Sequence, residues 1–77
     1  ALAREVASRG ITVNVVAPGL IASPAIEAVM TPRQIAELVP AKRAGQPGEV
    51  ADLVAFLASD RAAYINGQTI SINGGMA

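Results

Sequence analysis

The sequence predicts an α/β fold organised on a parallel sheet, and three observations carry that expectation. Residues 11–17 include Val13, Val15 and Val16 and are apolar on nearly both faces, the pattern of a strand enclosed between helix layers. A second strand pattern, residues 68–73, alternates Ile70 and Ile72 with Thr69, Ser71 and Asn73. Helical patterns lie between them, so the order helix, strand, loop, helix, helix, strand describes one crossover unit. Two parallel strands do not make a stable sheet alone, and the rest of the sheet is expected from elsewhere.

Taken in order, residues 1–9 read as a helix with Leu2, Ala3, Val6 and Ala7 on one face. Arg4, Glu5, Ser8 and Arg9 fall largely on the others, and Gly10 supplies the stop. Over 11–17 a strand is favoured over a short buried helix, because its side chains are β-branched and Pro18-Gly19 follows. From Pro18 to Met30 no clean period holds, and a loop is expected. Thr31-Pro32-Arg33-Gln34 then sets up a helix start, with Thr31 as N-cap, Pro32 in the first turn and Gln34 reaching back in a capping box. Ile35, Leu38 and Val39 give this helix an apolar side, and Pro40 ends it. Pro47 opens the clearest helix, 47–58, in which Val50, Leu53, Val54 and Leu57 recur at core spacing with Phe56 beside them. That stripe is expected to be core. Ser59-Asp60 ends the helix and caps a further turn through Tyr64. Asn66-Gly67 is commonly a hairpin signal, but the Ala-rich stretch before it favours a helix-to-strand turn. Gly74-Gly75 closes the second strand.

Seventy-seven residues hold at most one small domain, and a chain this size buries only roughly 60–65% of its unfolded surface. Such domains often add a disulfide or a metal. With no Cys and no His, neither route is open through the usual ligands, and zinc, haem and thiol chemistry are excluded with them. The absence of Cys fits a reducing compartment, and a cytoplasmic location is expected. Six basic and six acidic residues cancel, and no basic stripe with interleaved aromatics supports nucleic-acid binding. A membrane span needs about 20 apolar residues, whereas the longest comparable run, 53–58, is flanked by Asp52 and Ser59. Apolar residues make up 52% of the chain, against about 45–50% in ordinary domains, so surfaces meant to be covered by something else are expected. The chain starts at Ala1 rather than Met, and its first residues read as mid-helix without a cap, as in a piece of a longer protein.

In an open parallel sheet, ligands bind outside the carboxyl ends of the strands. Pro18-Gly19 lies just past such an end. Pro18 fixes φ and has no N–H, so it stops the ladder, while Gly19 lets the backbone turn and a flat ligand approach closely. Ile21 can pack on a ring, and Ser23 can hydrogen-bond an amide or carbonyl. These residues predict a planar, partly apolar ligand with a polar substituent. The plainer reading is a turn with incidental apolar side chains, and a Pro-Gly pair alone favours it. Glu49 and Asp52, on the first turn of a helix, are accounted for by solvation and the helix dipole. Lys42 and Arg43 can reach a phosphate or a carrier protein's acidic surface, yet an exposed basic pair in a connector is ordinarily only solvated. Gly74-Gly75 either admits a neighbouring backbone or makes a plain terminal turn.

Two long stretches carry a family resemblance: ALAREVASRGITVNVVAPGLIAS, residues 1–23, and AKRAGQPGEVADLVAFLASDRAAYINGQTISINGG, residues 41–75. In that order they resemble the C-terminal portion of the short-chain dehydrogenase/reductase family. They are particularly similar to its bacterial 3-oxoacyl carrier-protein reductases, with only 24–40 poorly matched. The resemblance implies that residues 1–77 are the C-terminal part of a single NAD(P)-binding domain, a Rossmann-type doubly wound parallel sheet whose last two strands are 11–17 and 68–73. It implies that Pro18, Gly19, Leu20 and Ile21 line a nicotinamide pocket. The loop backbone and the hydroxyl of Ser23 would hold the carboxamide. The family usually has Thr at that position; serine keeps the hydroxyl and loses the methyl that restrains its rotamer. Residues 24–39 correspond to the mobile substrate loop, where Pro24 departs from the usual sequence.

The resemblance also implies what lies elsewhere. The family's Gly-rich phosphate-binding turn and its catalytic Ser, Tyr and Lys precede this region, so no catalytic residue and no metal ligand is expected here. Tyr64 does not stand in for the catalytic tyrosine, since Gln68, not Lys, lies four residues on. The whole enzyme implied is an oxidoreductase of the 3-oxoacyl carrier-protein reductase type, serving fatty acid biosynthesis, with NADP as coenzyme and NAD as the alternative. Its substrate would be a small carbonyl or hydroxyl compound, either free or borne on a carrier protein, with no nucleic-acid or membrane partner. Family members are tetramers or dimers, so a homo-oligomer, in the larger case a homotetramer, is expected through 47–58 and 68–73, with Ile70 and Ile72 in contact. Two alternatives stay open. One is another dehydrogenase of the family, acting on a sugar, hydroxybutyrate or steroid. The other, for a native chain of only 77 residues, is a catalytically inactive remnant or interaction module.

Overall fold

β1 (Val15–Pro18) and β2 (Thr69–Ile72) form a two-stranded parallel sheet, in register from Val15 with Thr69 to Pro18 with Ile72. The computed structural model describes residues 2–76; Ala1, the head of the first expected helix, lies outside the described residues. Before β1 come α1 (Leu2–Val6) and a 3-10 turn (Ala7–Arg9). Gly10 stops them at φ 74°, its N–H donating to the Ala7 carbonyl at 3.1 Å. Between the strands lie α2 (Pro24–Val29), α3 (Pro32–Leu38), α4 (Pro47–Leu57) and a 3-10 turn (Asp60–Ala62). Parallel pairing across a helical crossover is the arrangement expected.

Both strands are shorter than the expected 11–17 and 68–73. Along residues 13–14, side-chain amides stand in for a regular ladder. Asn66 Oδ1 accepts the Val13 N–H at 2.9 Å, Asn14 Nδ2 donates to the Ile65 carbonyl at 3.0 Å, and Asn14 Oδ1 accepts the Gln68 N–H at 3.0 Å. Gly67, at φ 71°, turns the chain there, so regular pairing begins only where Val15 donates to the Gln68 carbonyl at 2.8 Å. Asn66 Nδ2 also donates to the Ala3 carbonyl at 3.1 Å. One amide thus ties α1, the approach to β1 and the turn into β2.

Pro18 does not stop this ladder. Val15 and Gly19 donate to Gln68 and Ile72 of the other chain segment, so odd-numbered residues face β2. The missing N–H of Pro18 falls on the opposite edge.

The loop expected over 18–30 contains α2. Ser23 is its N-cap, with Oγ accepting the Ile26 N–H at 3.2 Å, and Pro24 occupies the first turn. Thr31-Pro32 repeats the device at α3. There Thr31 Oγ1 accepts the Gln34 N–H at 3.2 Å and Gln34 Oε1 accepts the Thr31 N–H at 2.8 Å, the capping box expected. A six-residue helix is too short to show a period, so its signal was the cap alone.

Burial departs most from expectation. Only Ala3, Val39 and Ala62 are buried among the described residues. The stripe Val50, Leu53, Val54 and Leu57 is not core: no residue of α4 is buried, and Val54 is 50% exposed. The radius of gyration is 15.4 Å, where a compact chain of this length has about 11–12 Å. Its surface of 5622 Å² exceeds that of a compact monomer of equal mass by roughly 1,200 Å². Periodicity identified the helix and its apolar face correctly; within this chain little lies on that face. No helix among the described residues is long and apolar enough to cross a membrane.

Candidate functional site

The carboxyl ends of β1 and β2 meet three connecting segments, residues 19–23, 39–46 and 73–75. Gly19 donates its N–H to the Ile72 carbonyl at 2.9 Å. A Cβ on Gly19 would stand 2.7 Å from Asn73 Cβ and 2.9 Å from Asn73 Cα, so the space left by its missing side chain is taken by the end of β2. Across the same end runs the segment 39–41. Ala41 donates to the Gly74 carbonyl at 3.0 Å, and a Cβ on Gly74, at φ 61°, would come within 2.8 Å of Val39 Cγ1. Gly74-Gly75 realises both readings: it admits the segment 39–41, and it makes a terminal turn in which the Met76 N–H donates to the Asn73 carbonyl at 3.2 Å.

Gly45 grips the loop that follows β1. Its N–H donates to the Leu20 carbonyl at 2.9 Å and its carbonyl accepts the Ala22 N–H at 2.8 Å, a one-residue parallel bridge between Ile21 and Gly45. In such a bridge the residue opposite keeps its own N–H and C=O pointing away. Those of Ile21 have no hydrogen-bond partner among the described residues. A backbone donor and a backbone acceptor therefore stand side by side on the outer edge of the loop. Two residues on, the half-buried Ser23 uses its oxygen as the cap of α2, which leaves the hydroxyl hydrogen free to donate.

Two cavities flank the segment 41–45, whose alternate residues face them. Leu20, Ile21, Ala41, Gly45 and Ile72 line one of about 130 Å³. Ile26, Met30, Pro32 and Ile35 give the other, of about 380 Å³, an apolar wall, with Lys42 and Ala44 at its edge. Arg43 reaches both. Among the predicted residues, Leu20 and Ile21 share the smaller cavity, Pro18 and Gly19 sit at its strand end, and Ser23 lies beyond it at the head of α2.

Arg43 and Glu49 are not the separately solvated charges expected. Arg43 Nη1 and Nη2 donate to Glu49 Oε1 and Oε2 at 2.6 and 3.0 Å, and Nη1 also donates to the Ala44 carbonyl at 3.1 Å. Glu49 Oε1 accepts the Gln46 N–H at 2.9 Å. The Arg43 guanidinium, and after it the Gln46 N–H, lower the Glu49 carboxyl from 4.5 to about 2. The same pairing raises Arg43 further. Asp52 is exposed as expected, and Tyr64 is fully exposed. Sequence reasoning missed Gly45, Asn73 and the Arg43–Glu49 pair. Gln46-Pro47-Gly48-Glu49 has the spacing of a helix start with a backward-reaching carboxylate, a signal for half of the pair; no local rule joins Arg43 to it.

The family model described as enoyl-(acyl carrier protein) reductase matches residues 1–77. The chain is 58% identical over 77 residues to the 3-oxoacyl-[acyl-carrier-protein] reductase FabG of Escherichia coli strain K12 and 56% identical to that of Vibrio cholerae serotype O1. Each match covers 97% of this chain and 32% of the relative. A solved structure, YwfH, an NADPH dependent reductase involved in bacilysin biosynthesis, superposes with a TM-score of 0.86 at 42% identity, over 99% of this chain and 34% of that one. The chain spans about a third of the length of the curated relatives it matches.

Proposed function

The chain belongs to the short-chain dehydrogenase/reductase family, and from that premise we propose that it forms the part of an NADP-dependent reductase that holds the nicotinamide end of the coenzyme. The observation that carries this reading is Ile21. Its adjacent N–H and C=O, without partners among the described residues, match a primary carboxamide, which has one oxygen to accept and an NH₂ to donate. Ser23 adds a hydroxyl hydrogen for the same substituent, and Leu20 and Ile21 add apolar surface. Gly19, seated against Asn73, and Pro18, at the end of β1, set where the loop departs. When bound, the coenzyme supplies hydride to a carbonyl.

NADP is preferred to NAD because the structural relative is an NADPH dependent reductase. An acyl substrate borne on a carrier protein is inferred from the curated relatives, which are 3-oxoacyl-[acyl-carrier-protein] reductases. Proton transfer is assigned to residues outside this chain, and none here receives a catalytic role. The uncovered face of α4, with β2, is the surface proposed for a homo-oligomer of a cytoplasmic enzyme.

The test is coenzyme titration of the full-length protein carrying these residues. Ser23→Ala is expected to weaken NADPH binding by about 0.5–1.5 kcal/mol, the worth of one neutral hydrogen bond, or about two- to twelvefold; Ser23→Thr should bind normally. Unchanged affinity and kinetics in Ser23→Ala would remove Ser23 from the site. A coenzyme complex with the nicotinamide away from 19–23 would overturn the reading.

A further inference from the structure

We infer that the Arg43–Glu49 pair is a positioning pair for the loop 20–22, acting through Gly45. For the identity of the ligand, the inference rests on the coenzyme reading above. Gly45 holds the loop by two hydrogen bonds, one to Leu20 and one to Ala22. The peptide groups on either side of Gly45 are in turn held by the pair: Arg43 Nη1 donates to the Ala44 carbonyl, and Glu49 Oε1 accepts the Gln46 N–H. The same Oε1 receives Nη1 at 2.6 Å, so the two clamps are one unit. Glu49 lies in the first turn of α4. The helix is the fixed element; the pair passes its position to Gly45, and Gly45 passes it to the residues flanking Ile21.

Two contrasts favour this role over general stabilisation. Exposed ion pairs add little to stability, and the Arg43 and Glu49 side chains are 59% and 43% exposed. Yet the pair is joined fork to fork, which fixes direction as well as distance. Arg33–Glu37 is the ordinary case, a single 3.5 Å contact between side chains 90% and 70% exposed. A bidentate fork that also reaches a carbonyl is a geometry lysine cannot reproduce.

The experiment uses the full-length enzyme with Glu49→Gln, Arg43→Lys and, as control, Arg33→Ala. Glu49→Gln keeps an acceptor for the Gln46 N–H but loses the charge. Arg43→Lys keeps the charge and loses the fork, and as the milder change it carries the test if Glu49→Gln does not fold. Amide hydrogen exchange is measured without coenzyme, and NADPH binding by titration. Exchange at Ala22 and Gly45 is expected to quicken on the order of tenfold, with amides inside α4 and β2 unchanged. NADPH binding is expected to weaken on the order of tenfold, about 1.4 kcal/mol. Arg33→Ala should alter neither. Unchanged exchange at Ala22 and Gly45, or exchange quickened equally throughout α4 and the sheet, overturns the inference. So does a loosened loop that binds NADPH as tightly as before. Failure of the unmodified enzyme to bind NADPH overturns the coenzyme reading itself, and the binding half of the inference with it.

Discussion

The two ends of the small sheet are tied by different chemistry. At the amino end, neutral side-chain amides do the work: Asn14 and Asn66 bind backbone groups of residues 3, 13, 65 and 68, and Ala3 is buried where a Cβ on Gly67 would lie 3.4 Å from its own. At the carboxyl end the ties run through the backbone of Gly45 and an exposed ion pair, and the two cavities lie beside them. The amino end satisfies its polar groups internally. At the carboxyl end a donor and an acceptor of Ile21 have no partner among the described residues. On the coenzyme reading proposed above, folding and binding are divided between opposite ends of the same two strands.

Gly19→Val is the hardest blow to that division. Its Cβ meets backbone as well as side chain of Asn73, and overpacking of this kind costs about 3 kcal/mol. Chemical denaturation of the full-length protein should show that loss, with coenzyme affinity falling alongside. A loss below about 1 kcal/mol would mean that Asn73 moves aside and that this end is softer than described. Asn66→Ala comes next. It leaves the Val13 N–H and the Ala3 carbonyl without their partners, at a cost of about 2 kcal/mol, and NADPH affinity should not change. A fall in affinity would join the two ends that the comparison separates.

The smallest effect is one of pH, and it distinguishes an ionic tie from a neutral one. The Glu49 carboxyl lies at about 2 in the fold against 4.5 ordinarily. On acidification the unfolded chain takes up the proton first, so the contribution is whole above pH 4.5 and is lost as pH falls from 4.5 toward about 2. The difference in Tm between the unmodified protein and Glu49→Gln should therefore be flat near neutrality and shrink in acid. The corresponding difference for Asn66→Ala should not follow the Glu49 titration. A Glu49→Gln difference that grows in acid would contradict the assignment.

Much of the fold was legible where the signal is local. Gly10, Thr31-Pro32-Arg33-Gln34 and Pro47 each mark a boundary by backbone chemistry, and each stands where expected. Strand length was not legible, because it depends on where the partner turns at Gly67. The Val50, Leu53, Val54 and Leu57 spacing names a face without saying what covers it. At the proposed site, Pro18-Gly19 marked the carboxyl end of β1, and Ile21 and Ser23 were singled out from the sequence itself before the resemblance gave them a role. Why Ile21 is left with free groups depends on Gly45, remote in sequence, and no periodic pattern links the two.

Pro18 gives the far margin of β1 a direction. Val16, two residues earlier, can still serve a neighbour on that side with both its backbone groups, but at Pro18 the donor is gone. A strand laid along this margin would find two backbone partners at Val16 and only an acceptor at Pro18, so its pairing with β1 would be weakest next to the loop.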